Sequence, residues 1–173
     1  PLYSSAASDV YKRQIVILPD NAKHFLLFAH GAGGGMSHHF MEKVSQHFAE
    51  EAIGTLRFNF PYIEKKKRSP DPAPILMQTI RSAVKESKKY AGGIPLLAGG
   101  KSMGGRMTSM AASKEPLDAV KGIVFFGFPL HAPGKPSNER AEHLFKVTVP
   151  MLFLQGTRDK LSDLTLLKPV INK

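Results

Sequence analysis

The chain has 173 residues and 19.0 kDa, one domain's worth of polypeptide, and its 42% hydrophobic and 22% charged residues exclude a disordered or fibrous protein. Cysteine is absent, which removes disulfides, thiolate metal sites and cysteine nucleophiles, so any nucleophile must be an oxygen or a nitrogen. Lys and Arg number 24 against 14 Asp and Glu, a formal charge of +10 that raises the question of an acidic partner without answering it.

Residues 1–14, PLYSSAASDVYKRQ, show neither helical nor strand periodicity. They look like translated adapter sequence or a disordered terminus, and are set apart as a leader; the domain is expected over residues 15–173. Ile15 to Leu18 and Phe25 to His30 read as strands, the second apolar almost throughout, as a strand covered on both faces should be. A glycine-rich loop follows. His38 to Ala52 places Phe40, Val44, Phe48 and Ala52 on one helical face, with Ser37 as the expected cap and Gly54 as the stop. Thr55 to Phe60 is the next strand, ended by Pro61. A loop then carries Lys65, Lys66, Lys67 and Arg68, which lack the interleaved aromatics of a single-strand nucleic-acid platform and read as solvated surface.

A helix is expected from Pro74 to Tyr90 with Ile75, Ile80, Ala83 and Val84 inward, ended by Ala91-Gly92-Gly93. Ile94 to Ala98 is a strand running into Gly99-Gly100-Lys101-Ser102-Met103-Gly104-Gly105. Arg106 to Ser113 reads as helix, Gly122 to Phe128 as strand, Asn138 to Phe145 as a short helix and Pro150 to Gln155 as the last strand. Leu161 to Leu167 is a helix ending at Pro169. Strands alternating with helices argue for an α/β fold, a mostly parallel sheet with helices on both faces, in which ligands bind beyond the carboxyl ends of the strands. No apolar run reaches the roughly 18 to 20 residues of a membrane span, and no signal pattern opens the chain. A cytoplasmic protein without a membrane or nucleic-acid partner is therefore expected.

The residues with chemical promise all follow strands. Gly100-Lys101-Ser102-Met103-Gly104 fits G-x-S-x-G between a buried strand and a helix, a sharp turn that lifts a serine Oγ clear of the sheet and aims a helix N-terminus at developing negative charge. The spacing of a P-loop is absent. Attack on an acyl carbonyl creates an oxyanion that needs two backbone donors. The loop His30-Gly31-Ala32-Gly33-Gly34-Gly35 supplies one through Ala32, or alternatively Gly33, and Met103 after the serine supplies the other. Asp159 in Gly156-Thr157-Arg158-Asp159 comes 57 residues after Ser102 and after the last strand, where the carboxylate of a Ser, acid, His series belongs. Asp163 competes but falls in the expected last helix.

The strings HGAGGG, RFNFPY, GKSMGGR, FFGFPLHAPGK and VPMLFLQGTRD together resemble the alpha/beta hydrolase family, in its dienelactone-hydrolase-like branch. They are most similar to bacterial hydrolases related to the animal testis-expressed Tex proteins and to a subunit of the non-specific lethal chromatin complex. The resemblance spans about residues 15–167. It implies a serine hydrolase without a cofactor, acting on a small-molecule acyl substrate, with Ser102 as nucleophile and Asp159 as acid. The chromatin-associated relatives also suggest an alternative, a non-catalytic binding or scaffolding member of the same fold.

The family's histidine follows its acid, and none follows Asp159 in the 14 residues that remain. A chain cut short before a last strand, histidine loop and helix is the reading this suggests, nearly inactive as it stands and prone to aggregate along an exposed sheet edge. Among the other histidines, His131 is expected to line the pocket or order its loop, with general base as a lesser role, and His30 to brace the glycine loop; Gly31 and Gly33 complete the expected pocket. His38 and His39 point in different directions on a helix and make no metal site. His24, His47 and His143 read as surface.

Overall fold

The computed structural model describes residues 13–172. The expected leader lies outside these residues up to position 12. Gln14, placed by the sequence at its end, instead opens the sheet.

Six strands form one sheet: β1 (Gln14–Ile17), β2 (His24–Ala29), β3 (Ile53–Phe58), β4 (Leu96–Lys101), β5 (Val120–Phe126) and β6 (Met151–Leu154). Their spatial order is β1, β3, β2, β4, β5, β6, all parallel except β1, which runs antiparallel to β3. The helices are α1 (His39–Glu50), α2 (Pro61–Glu64), α3 (Ala73–Ala91), α4 (Met103–Lys114) and α5 (Leu164–Ile171), with a 3-10 helix over Glu139–Lys146. The α/β class with a mostly parallel sheet is therefore the observed one. β2 leads to β3 on one side while β4 leads to β5 on the other, so the chain reverses its direction of winding between β2 and β4. A crevice at the carboxyl ends of those two strands is where such a sheet takes ligands.

The alternation along β2 explains its unbroken apolar sequence. Phe25, Leu27 and Ala29 enter the larger core with α3 and α4, while Leu26 and Phe28 face Met41, Phe40, Val44 and Phe48 of α1. Phe25 and Phe28 are both fully buried, one on each face, and burial of each contributes roughly 2–3 kcal/mol, so both layers hold the sheet.

Several local expectations are corrected. The cap of α1 is His38, whose Nδ1 accepts the Phe40 N–H at 3.2 Å, not Ser37. The helix ends at Glu50 and turns through Ala52, while Gly54 sits inside β3, where a Cβ would lie 2.5 Å from the Phe25 ring. Ile75, expected inward, is 43% exposed, because at the start of α3 it is Leu76 and Met77 that face the core. Pro169 lies within α5 instead of ending it. β4 extends through Gly99 and Gly100 because parallel neighbours on both sides supply its ladder.

β6 pairs with β5 alone among the described strands. Met151 and Phe153 pack against the core, while Leu152 (55%) and Leu154 (47%) are exposed on the other face. An apolar edge of this kind is a template for self-association, and lysine is the residue that blunts it. The double substitution Leu152→Lys, Leu154→Lys is expected to reduce high-concentration association in light scattering while moving Tm by no more than about 2 °C, as solvent-facing changes do.

Candidate active site

Ser102 caps α4 at the end of β4 with φ 48° and ψ −114°, a left-handed conformation that costs a non-glycine residue on the order of 1–3 kcal/mol. The surroundings enforce it. The Ser102 N–H donates to Phe126 O at 3.1 Å, at the end of β5, and the Arg106 N–H donates to Ser102 O at 3.1 Å in the first turn of α4. On either side the backbone runs so close to β2 that a Cβ on Gly100 would lie 2.2 Å from Ala29 O, and one on Gly104 2.5 Å from Ala29 O and 2.6 Å from His30 O. The small residues of G-x-S-x-G are thus required by the approach of two strand ends. Ser102 is half-buried, its hydroxyl makes no hydrogen bond among the described residues, and the residue lines a cleft of about 360 Å³.

The glycine loop forms the other wall. His30, Gly31, Ala32 and Gly33 line the same cleft, and Gly31 lies against the elbow, where a Cβ would be 3.7 Å from that of Ser102. The N–H groups of Ala32, Gly33 and Met103 meet no acceptor among the described residues. The loop is nevertheless fixed from beneath by the segment that ends β3. The Phe60 N–H donates to His30 Nε2 at 3.1 Å, and the Tyr62 hydroxyl donates to Ala32 O at 2.9 Å. Asn59 Oδ1 accepts the Met36 N–H at 2.8 Å, and Arg57 donates to Met36 O at 2.8 Å. The segment RFNFPY carries no local pattern that assigns Arg57, Asn59 or Tyr62 a role. These partners lie more than 20 positions away in the chain, beyond any local pattern.

Asp159 follows β6, as expected. Its Oδ1 accepts the Leu161 N–H at 2.9 Å and its Oδ2 accepts from Gln155 Nε2 at 2.8 Å, while Gln155 Oε1 accepts the Phe128 N–H at 2.7 Å. The carboxylate passes over Gly127, where a Cβ would come 3.3 Å from Oδ2. Gly127 follows Phe126, the residue that anchors Ser102, and Leu161, two positions after the acid, lines the serine's cleft. Asp163 is set apart: it is exposed and caps α5 through Thr165, whose backbone N–H lies 2.8 Å from Oδ1. Hydrogen bonds from Thr165 hold its carboxyl below the usual range.

Each of the two histidines that line the cleft, His30 and His38, has its acceptor nitrogen occupied. His30 is fully buried; its Nδ1 lies 2.7 Å from Gly31 O and can only donate there, and its Nε2 accepts from Phe60. Burial lowers its pKa to about 4, so the ring is neutral near pH 7. His131 is 5% exposed and is not among the residues lining this cleft, so of its two expected places, in the pocket or ordering its loop, the first is not the observed one. Its Nδ1 donates to Ala132 O at 2.9 Å and its Nε2 accepts the Asp163 N–H at 3.2 Å, so it ties the loop after β5 to the loop of the acid. His38 lines the cleft, but its Nδ1 accepts from Phe40, which leaves Nε2 carrying the proton in the neutral ring. His143 is not a surface residue: it is half-buried, 2.7 Å from Ser109 Oγ, and its pKa is lowered to about 4 by burial and by Arg106.

The positive ends of α1 and α4 both reach this cleft through His38 and Ser102, and Lys101 Nζ lies 4.7 Å from the centre of the Phe40 ring. The cleft is therefore suited to developing negative charge. Among the described residues no group of histidine and carboxylate side chains has the arrangement of a metal site, and no helix is long and apolar enough to cross a membrane.

Comparison with known proteins agrees with this architecture. The family model described as alpha/beta hydrolase domain matches residues 22–171. A solved structure from Thermus thermophilus superposes with a TM-score of 0.72 at 18% identity, covering 99% of this chain and 81% of that one. Dienelactone hydrolase from Anabaena variabilis gives 0.68 at 17%, covering 99% and 93%. Est1E from Butyrivibrio proteoclasticus gives 0.72 at 16%, covering 98% and 82%. At these identities the solved structures speak to the fold, while the family model spans most of the sequence: the chain belongs to the alpha/beta hydrolase family.

Proposed function

We propose that the protein is a serine hydrolase acting on an ester, thioester or related acyl bond of a small molecule. The observation that carries this reading is the strained Ser102, its hydroxyl free at the mouth of a cleft whose opposite wall is the glycine loop with unclaimed N–H groups. Ser102 Oγ attacks the acyl carbon and gives its proton to an imidazole base. The carbonyl oxygen becomes an oxyanion held by the N–H groups of Ala32 and Met103, and the leaving alcohol or thiol departs with the proton. Water then cleaves the acyl-serine by the same route. Asp159, already held by Gln155 and Leu161, is the carboxylate that orients the imidazole.

Neither histidine that lines the cleft offers Ser102 a free imidazole lone pair. The 173-residue chain is therefore expected to act at the rate that oxyanion stabilisation alone supports, roughly 10³ to 10⁴ over water. A fluorophosphonate probe read by intact mass tests both statements. Labelling at Ser102 is expected to be slow, to accelerate with added imidazole and to vanish in Ser102→Ala. Labelling that survives Ser102→Ala overturns the nucleophile, and fast labelling without imidazole overturns the lack of a base.

A further inference from the structure

The glycine loop owes its shape to a residue outside the reacting set. We propose that Tyr62 is a positioning residue for the oxyanion site: its hydroxyl holds the Ala32 carbonyl so that the N–H across that peptide, Gly33's, is presented to the cleft as a further donor.

The argument starts from peptide geometry. The described peptide bonds are all trans, so the C=O and N–H of one peptide unit point in opposite directions. Ala32 O accepts the Tyr62 hydroxyl at 2.9 Å from the core side, since Tyr62 is fully buried while Ala32 and Gly33 are exposed. The Gly33 N–H must then point away from the core, and Gly33 is one of the residues lining the cleft beside Ser102. The preceding peptide is fixed in the same manner: Gly31 O faces His30 Nδ1 at 2.7 Å and the Gly34 N–H at 3.4 Å, which turns the Ala32 N–H the opposite way.

Tyr62 is itself immobilised. It stacks on Phe60 at 6.4 Å and meets His30 at 6.0 Å, while α2, which carries it, starts at Pro61 with a fixed φ. Burial and the nearby Asp71 raise the phenol's pKa to about 12, so it remains a donor throughout the neutral range. A carbonyl held by one rigid donor is pre-oriented, which is what an oxyanion site needs, because donors that must reorganise during the reaction forfeit their contribution.

The inference rests on the serine-hydrolase reading, and the experiment separates the two. Tyr62→Phe keeps the ring and removes only the hydroxyl. Tyr90→Phe, which removes the hydroxyl that accepts from Gln14 at 2.8 Å, away from the cleft, is the matched control. With saturating imidazole, Tyr62→Phe is expected to lower the limiting rate of fluorophosphonate labelling roughly 10-fold, since misplaced donors lose transition-state rather than ground-state binding. The half-saturating probe concentration should stay unchanged, and Tyr90→Phe should label as the wild type does.

In unlabelled protein, the Gly33 amide resonance is expected to shift in Tyr62→Phe alone. Wild-type labelling together with an unchanged Gly33 amide overturns the proposal. If Ser102 never labels in any variant, the hydrolase reading fails, and the Gly33 amide still decides whether Tyr62 sets the peptide: an unchanged resonance overturns the clamp.

Discussion

Gly104→Ala is expected to destabilise the protein by more than about 3 kcal/mol and to cost the site its geometry. A methyl group at this position would stand 2.5 Å from Ala29 O and 2.6 Å from His30 O. Both are backbone atoms at the end of β2, so no side-chain rotation relieves the clash. The end of β2 cannot retreat either, because His30 is bonded to Phe60 and Ala29 pairs with both Phe58 and Gly100. Overpacking against yielding neighbours costs about 1–3 kcal/mol, and backbone at sub-contact distance lies above that range. Alanine's better helix propensity returns at most about 1 kcal/mol. Urea unfolding measures the loss, and phosphonate labelling of Ser102 should fall with it. Gly33→Ala makes the contrast: nothing lies within 4 Å of a Cβ there, and its stability should match wild type within about 0.5 kcal/mol. Equal stability of Gly104→Ala and wild type would mean that the elbow is not wedged against β2.

What could be read in advance was what local pattern encodes. The two-sided burial of β2 was visible as an unbroken apolar run, and the place of Ser102 as small residues around a serine between strand and helix. Periodicity failed where tertiary contacts choose. Ile75 has the spacing of a core residue, yet at the start of α3 Leu76 and Met77 take the inward positions and leave Ile75 exposed. The cap of α1 went to an imidazole, His38, over the neighbouring Ser37, because cap preferences are small energies that a loop's path overrides. The bonds that shape the glycine loop join residues such as Ala32 and Tyr62, 30 positions apart. The tie between His131 and Asp163 spans 32. Such pairs leave no trace in spacing, so the roles of Tyr62, Asn59 and Arg57 came only with the fold.

The second large effect is expected from acid. His30 is fully buried, with Gly31 O at one ring nitrogen and the Phe60 N–H at the other, and its pKa falls from 6.5 to about 4. The unfolded chain therefore binds a proton near pH 6.5 that the folded protein refuses until about pH 4. Stability on this account is complete above pH 6.5, declines as pH falls from there and levels off below about 4. The loss between pH 7.5 and 4.5 is on the order of 2–3 kcal/mol for this one ring. His143, lowered to about 4 as well, adds a smaller loss of the same sign because it is less deeply buried. The carboxylates of Asp118 and Asp163 titrate below 3.8 and do not enter this window. Urea unfolding at intervals across it measures the slope, and His30→Asn should flatten the curve; a flat wild-type profile would refute a neutral buried ring. Protonation of His30 also sets a donor against the Phe60 N–H and breaks the bond joining the glycine loop to the end of β3. Labelling of Ser102, at constant free imidazole base, should therefore hold through most of this window and fall only as the pH approaches about 4, where the folded ring takes its proton.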